Sequence, residues 1–151
     1  DIFFIARRRT VAMTLIVVPV RYPLSEHSTA TLREAIEIST DRDAELSVLH
    51  VDLYQNSKNV TRTDLKRAVE REFGELDNVR YVVRRGFLHE ETILEEIVGE
   101  NADLVVIGSR QAGRWQRMLR KLRADPDIGA FLKGELDCTV ITVSADGVTS
   151  R

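Results

Sequence analysis

The chain has 151 residues, 43% of them hydrophobic and 30% charged, and a formal net charge of −2. That suits one compact domain with an ordinary core and excludes polyanion binding through overall charge, so any electrostatic role must belong to a local patch. The single cysteine, Cys138, excludes an internal disulfide and suits a reducing compartment.

Residues 1–13, DIFFIARRRTVAM, stand apart as an N-terminal extension. Ile2 to Ala6 is too short to span a bilayer, which needs about 20 apolar residues. It also lacks the charge-then-apolar order of a signal peptide. Arg7, Arg8 and Arg9 after an apolar run would also suit the cytoplasmic end of a membrane segment, and that alternative is kept.

The first strand is expected at Leu15 to Val20. A helix follows, with Leu32, Ala35, Ile36 and Ser39 on one face. The second strand is Leu46 to Val51. Asp52 to Thr61 is a long polar connection, either a lid or a plain connector. Leu65, Ala68, Val69 and Phe73 mark the next helix. Val79 to Val83 is a strand of more mixed character, placed at a sheet edge. Ile93, Leu94, Ile97 and Val98 mark a third helix, with Glu95 and Glu96 on its solvated face. Leu104 to Ile107 is the fourth strand. Trp115, Met118, Leu119 and Leu122 form a fourth apolar stripe, and Ile128, Phe131 and Leu132 a short fifth. Thr139 to Val143 is the last strand. Near-continuous apolar strands are covered on both faces, and such stripes are helices laid on a core. Strands alternating with helices give an α/β fold with a parallel sheet and right-handed crossovers. The expected domain is 14–144, followed by a polar, frayed tail at 145–151.

In such a sheet, ligands bind beyond the carboxyl ends of the strands. The residues there are Arg21, Val51 with Asp52, Arg84 to Gly86, and Gly108 to Arg110. The stretch GSRQAGRWQRMLRKLRADPDIGAF opens at Gly108 like a phosphate cradle, then turns basic. Arg110, Arg114, Arg117 and Lys121 follow helical spacing and share one face. One reading is a solvated helix face. The other joins Arg110 and Arg114 to Arg21 as an anion grip, for which the planar guanidinium fork is suited. Trp115 belongs to the apolar stripe and reads as core. In ADPDI, Asp125 suits an N-cap, Pro126 the first helical position and Asp127 the positive helix end, so that helix would cap itself. His27, His50 and His89 are spread along the chain with no cysteine at ligand spacing, so no metal site is expected. Neither a nucleophile elbow nor a nucleic-acid reader motif is present.

Several stretches together resemble the universal stress protein family. LIVVPVRYPLSEHSTATLREAIEI is similar to its first strand and helix, and AELSVLHV to its second strand. RRGFLHEETILEEIVGENADLVVIGS is similar to its third-strand exit, helix and fourth strand, and CTVITV to its closing strand. The resemblance implies a single doubly wound sheet of five parallel strands in the order 3-2-1-4-5. It also implies a cytoplasmic location and homodimers through Thr139 to Val143. ATP-binding members carry Gly-x2-Gly-x9-Gly-Ser/Thr after strand four and an aspartate ending strand one. Here Gly108 is present, Gln111 stands where the second glycine is expected with Gly113 two places late, and Arg21 replaces the aspartate. The candidate nucleotide or anion site is Pro19, Val20, Arg21, Val51, Gly108, Ser109, Arg110, Gly113, Arg114 and Asp127. The expectation is a non-enzymatic, stress-protein-like regulator with weak ATP or other nucleotide binding, a small anionic ligand and no nucleic-acid partner. The alternatives are a nucleotide-binding or hydrolysing member of the same fold, or the cytoplasmic regulatory domain of a membrane transporter.

Overall fold

The computed structural model describes residues 14–56, 59–126, 138–144 and 149–150. The strands are β1 (Leu15–Pro19), β2 (Glu45–Leu53), β3 (Val79–Gly86), β4 (Leu104–Gly108), β5 (Thr139–Val143) and β6 (Thr149–Ser150). The helices are α1 (Glu26–Arg42), α2 (Arg62–Phe73), α3 (His89–Gly99) and α4 (Ser109–Ala124). The first five strands are parallel and run in the order β3-β2-β1-β4-β5, as the resemblance implies. β3 lies at the sheet edge, where its mixed pattern placed it.

Successive side chains of a strand point to opposite faces, and both faces are covered here. Ile16, Val18, Leu46 and Val48 pack with Leu32 and Ala35 of α1 and with Leu65 and Val69 of α2. Val17, Leu49, Val105 and Ile107 pack with Ile93 and Ile97 of α3 and with Trp115 and Leu119 of α4. This explains why the central strands are apolar throughout. Each fully buried Leu, Ile or Val contributes about 1.5–3 kcal/mol relative to exposure. The expected helical stripes are therefore the buried faces, and Trp115 is fully enclosed in the core.

Local chemistry sets the helix starts. The Ser25 hydroxyl caps α1 by accepting from the Ser28 N–H at 3.1 Å. Thr61 and Asp64 exchange side-chain and backbone hydrogen bonds at the start of α2, a reciprocal capping box. Those bonds, the Thr61 backbone N–H first, hold the Asp64 carboxyl below its ordinary pKa.

Three expectations change. Glu96 is not solvated: it is 3% exposed and accepts from Arg84 Nε at 2.8 Å. The α3 stripe is wide enough to carry Glu96 inward, and β3 supplies the arginine that makes this tolerable. The tail is not simply frayed: Thr149 and Ser150 pair antiparallel with Val143 and Thr142, covering part of the outer edge of β5. Finally, no phosphate-cradle loop follows β4. Helix α4 begins at Ser109, with Gly108 at its N-cap in an extended conformation. Without the full set of glycines the backbone has no reason to leave the helix, and Trp115 and Leu119 pull it onto the sheet. The short fifth stripe and Asp127 lie outside the described residues, as does the N-terminal extension.

Candidate functional site

The carboxyl ends of β1, β2 and β4 open onto a cavity of about 250 Å3. Its lining includes eight of the ten expected residues: Pro19, Val20, Arg21, Val51, Gly108, Ser109, Arg110 and Arg114. Gly113 does not line it: it has no side chain to reach the opening, whereas the neighbouring Arg114 does. Asp127 lies outside the described residues, so its place is not assigned. Asp125, expected as the cap of the next helix, follows the end of α4 and donates its backbone N–H to the Leu122 carbonyl at 3.1 Å.

The β1 exit is firmly held. Val20 N–H donates to the Leu49 carbonyl at 2.8 Å, and Arg21 N–H donates to the Ser28 hydroxyl at 2.8 Å. Ser28 itself is pinned by the Ser25 cap, so the Arg21 backbone is fixed while its side chain stays exposed. On the other side, Arg110 and Arg114 project from the first two turns of α4 and are exposed. Arg114 Nε reaches Glu90 at 4.0 Å, the outer limit of an ion pair. Among the described residues, neither Arg21 nor Arg110 has a carboxylate at ion-pair distance. The N-cap Gly108 brings no side chain to the first N–H groups of α4. Such a helix start favours an anion.

The structure also gathers residues that sequence reasoning left apart. His27, His50 and His89 all line the cavity, together with Ser25, Ser28, Thr31 and Gln111. They come from α1, β2 and α3, so no sequence spacing links them. The one available signal was position: His50 lies in the carboxyl half of β2, and His27 and His89 stand at helix starts, which this topology turns toward the same edge. His50 is 7% exposed, and its Nδ1 lies 3.0 Å from the Val20 carbonyl. A carbonyl only accepts, so Nδ1 carries the proton and Nε2 is left for the cavity. Burial holds the His89 pKa below its ordinary value. Glu90 pulls the other way, and Arg21, His50 and Arg114 add to the lowering. Among the described residues, no three of His, Cys, Asp and Glu form a metal-binding group.

A second lobe of about 360 Å3 adjoins the first, sharing Arg21, His50, Val51 and His89 and adding Tyr22, Asp52, Asn56 and Val60. The connection after β2 therefore forms part of the cleft wall. Asp52 there is 3% exposed and accepts from the Val60 N–H at 3.3 Å. Among the described residues, no aspartate or glutamate lines the first lobe, which holds three arginines and three histidines.

Known structures share this architecture. The universal stress protein UspA from Lactobacillus plantarum matches at 21% identity with a TM-score of 0.52, covering 85% of this chain and 96% of that one. A universal stress protein solved in complex with cAMP matches at 18% identity and TM-score 0.55, covering 87% and 97%. A family protein from Burkholderia pseudomallei matches at 20% and 0.50, covering 87% and 96%. Among curated protein sequences, none matches significantly. No helix among the described residues is long and apolar enough to cross a membrane. The sequence model of the universal stress protein family matches residues 13–121, most of the chain, and on that match the chain belongs to this family.

Proposed function

We propose that this chain is a non-enzymatic regulatory member of its family that binds a small phosphate-bearing ligand in the carboxyl-edge cleft. One observation carries the reading: among the described residues the first lobe is lined by Arg21, Arg110 and Arg114 and by no carboxylate, and neither Arg21 nor Arg110 has an ion-pair partner. Uncompensated arginines beside a helix N-terminus recognise phosphate through forked, charge-assisted hydrogen bonds. The related protein solved with cAMP makes a cyclic nucleotide a sensible first probe. ATP binding is weak, because the glycine motif is broken at Gln111 and the chain enters α4 at once. Hydrolysis is not expected, since the sequence carries no nucleophile elbow. The protein acts in the cytoplasm as a homodimer through β5.

The test is calorimetric titration of cAMP, AMP and ATP into the wild type and into Arg21→Ala and Arg110→Ala. Binding that weakens with salt and falls in both variants supports the reading. Equal binding by variants and wild type rules it out.

A further inference from the structure

We propose that the cleft takes its ligand as the bare phosphate anion, without a divalent cation, so that magnesium opposes the binding of a polyphosphate. This rests on the anion-site reading above. It adds which charge state of the ligand the site accepts.

Magnesium demands octahedral oxygen coordination, and proteins hold a nucleotide's magnesium through one or two carboxylates together with the phosphates. Among the described residues, the first lobe has no such donor. Its hydroxyls are largely committed. Ser28 Oγ takes the Arg21 N–H at 2.8 Å, Ser25 Oγ takes the Ser28 N–H at 3.1 Å, and Thr31 Oγ1 donates to the His27 carbonyl at 2.7 Å. The available carboxylate is Asp52 in the second lobe. It is nearly buried, accepts from Val60 N–H, and shares its lobe with Arg21, His50 and His89. A divalent cation placed there would face the Arg21 guanidinium. The donor set therefore does not fit magnesium.

The same groups fit an unchelated phosphate. Arg21 and Arg110 bring cationic forks with no ion-paired carboxylate among the described residues. Backbone N–H groups of the first turn of α4 have no side-chain cap. Chelation lowers the charge of ATP from about −4 to about −2, so it removes much of the Coulombic attraction to these groups. AMP chelates magnesium poorly and keeps its charge, so it serves as the control.

The experiment is calorimetry of the full chain with ATP and with AMP, in EDTA and in excess magnesium chloride at matched ionic strength. AMP is expected to bind equally in both buffers, and ATP roughly threefold or more tightly in EDTA. Equal or tighter ATP binding with magnesium overturns the inference and leaves the anion site standing. No binding of AMP, ATP or inorganic pyrophosphate in either buffer overturns the anion-site reading itself, and this inference with it. In a second arm, Arg21→Asp returns a carboxylate to the end of β1. It should lose roughly tenfold or more of the metal-free ATP affinity and shift the preference toward magnesium-loaded ATP. An unchanged EDTA-to-magnesium ratio in a variant that melts like the wild type overturns the role given to Arg21. Should that variant melt early, Arg110→Gln replaces it, with the same ratio as the readout.

Discussion

Arg80 and Arg84 on β3 sit among carboxylates. Arg80 reaches Glu45 and Glu100, each at 3.3 Å, and Arg84 reaches Glu96 at 2.8 Å. Arg21 and Arg110 at the cleft meet no carboxylate at that range among the described residues, and Arg114 meets Glu90 at 4.0 Å. The residue type is the same in both regions, but the local charge balance differs. On β3, Arg84 neutralises a carboxylate that α3 carries into the core, and Arg80 pairs with two partly exposed ones. At the cleft the arginines' charge is left for something from outside. An arginine is therefore informative about ligands only once its partners are known.

The comparison can be broken or sharpened by measurement. The largest expected effect concerns the scaffold of the cleft rather than its charge. Trp115 is fully buried and anchors α4, which carries Arg110 and Arg114. Trp115→Ala should cost about 3–5 kcal/mol of stability, read by denaturant unfolding. A cost below about 1 kcal/mol would mean that α4 is held by other contacts.

Next comes the compensated region. Arg84→Ala strips the partner from Glu96, whose side chain is 2% exposed. Because Arg84 is itself half exposed, the loss is expected at about 1–3 kcal/mol of stability, with nucleotide binding unchanged. The cleft should show the converse. Arg21→Ala should lose roughly tenfold in phosphate-ligand affinity, about 1.4 kcal/mol, while stability stays within about 0.5 kcal/mol. If the two variants change the same property, the distinction between the two regions fails.

The smallest effect is a pH dependence. The folded state holds the His89 pKa below its ordinary value of 6.5. Between 6.5 and the lower folded value, the unfolded chain binds more protons than the folded one. The ligand-free protein should therefore lose a little stability as pH falls through that window and should level off below it. A bound anion reverses the local balance by favouring the imidazolium, so ligand affinity should rise over the same window. His89→Gln should flatten both profiles. A wild-type affinity that falls on acidification would contradict the anion assignment.

Assembly supplies a separate check. The β6 pairing with Thr142 and Val143 means that a dimer through β5 must share this edge with the chain's own tail. Sedimentation of the full chain should show a dimer at micromolar concentration, and removal of 145–151 should not abolish it. A stable monomer would rule out β5 as a dimer strand.

The fold was readable because burial leaves a periodic trace. Ile16, Val17 and Val18 are apolar in succession because both faces of the sheet are covered. Leu32 with Ala35, and Ile93 with Ile97, recur at helical spacing because one side of each helix meets that sheet. Strand exits then named most of the cleft, including Arg21, Val51 and Gly108. Tertiary structure decided what periodicity does not encode. It brought His27, His50 and His89 from three elements to one edge. It turned Glu96 inward because Arg84 on another strand could meet it. It ran α4 straight from Ser109, so that Arg114 lines the cavity and Gly113, without a side chain, does not. Each outcome depends on contacts between residues distant in sequence, and no local pattern carries that information. Sequence by itself determined which apolar faces are buried, since that follows from each residue's own hydrophobicity. Which charges are compensated and which are left open to a ligand was decided only when the chain closed on itself, because Coulombic balance depends on distance in space.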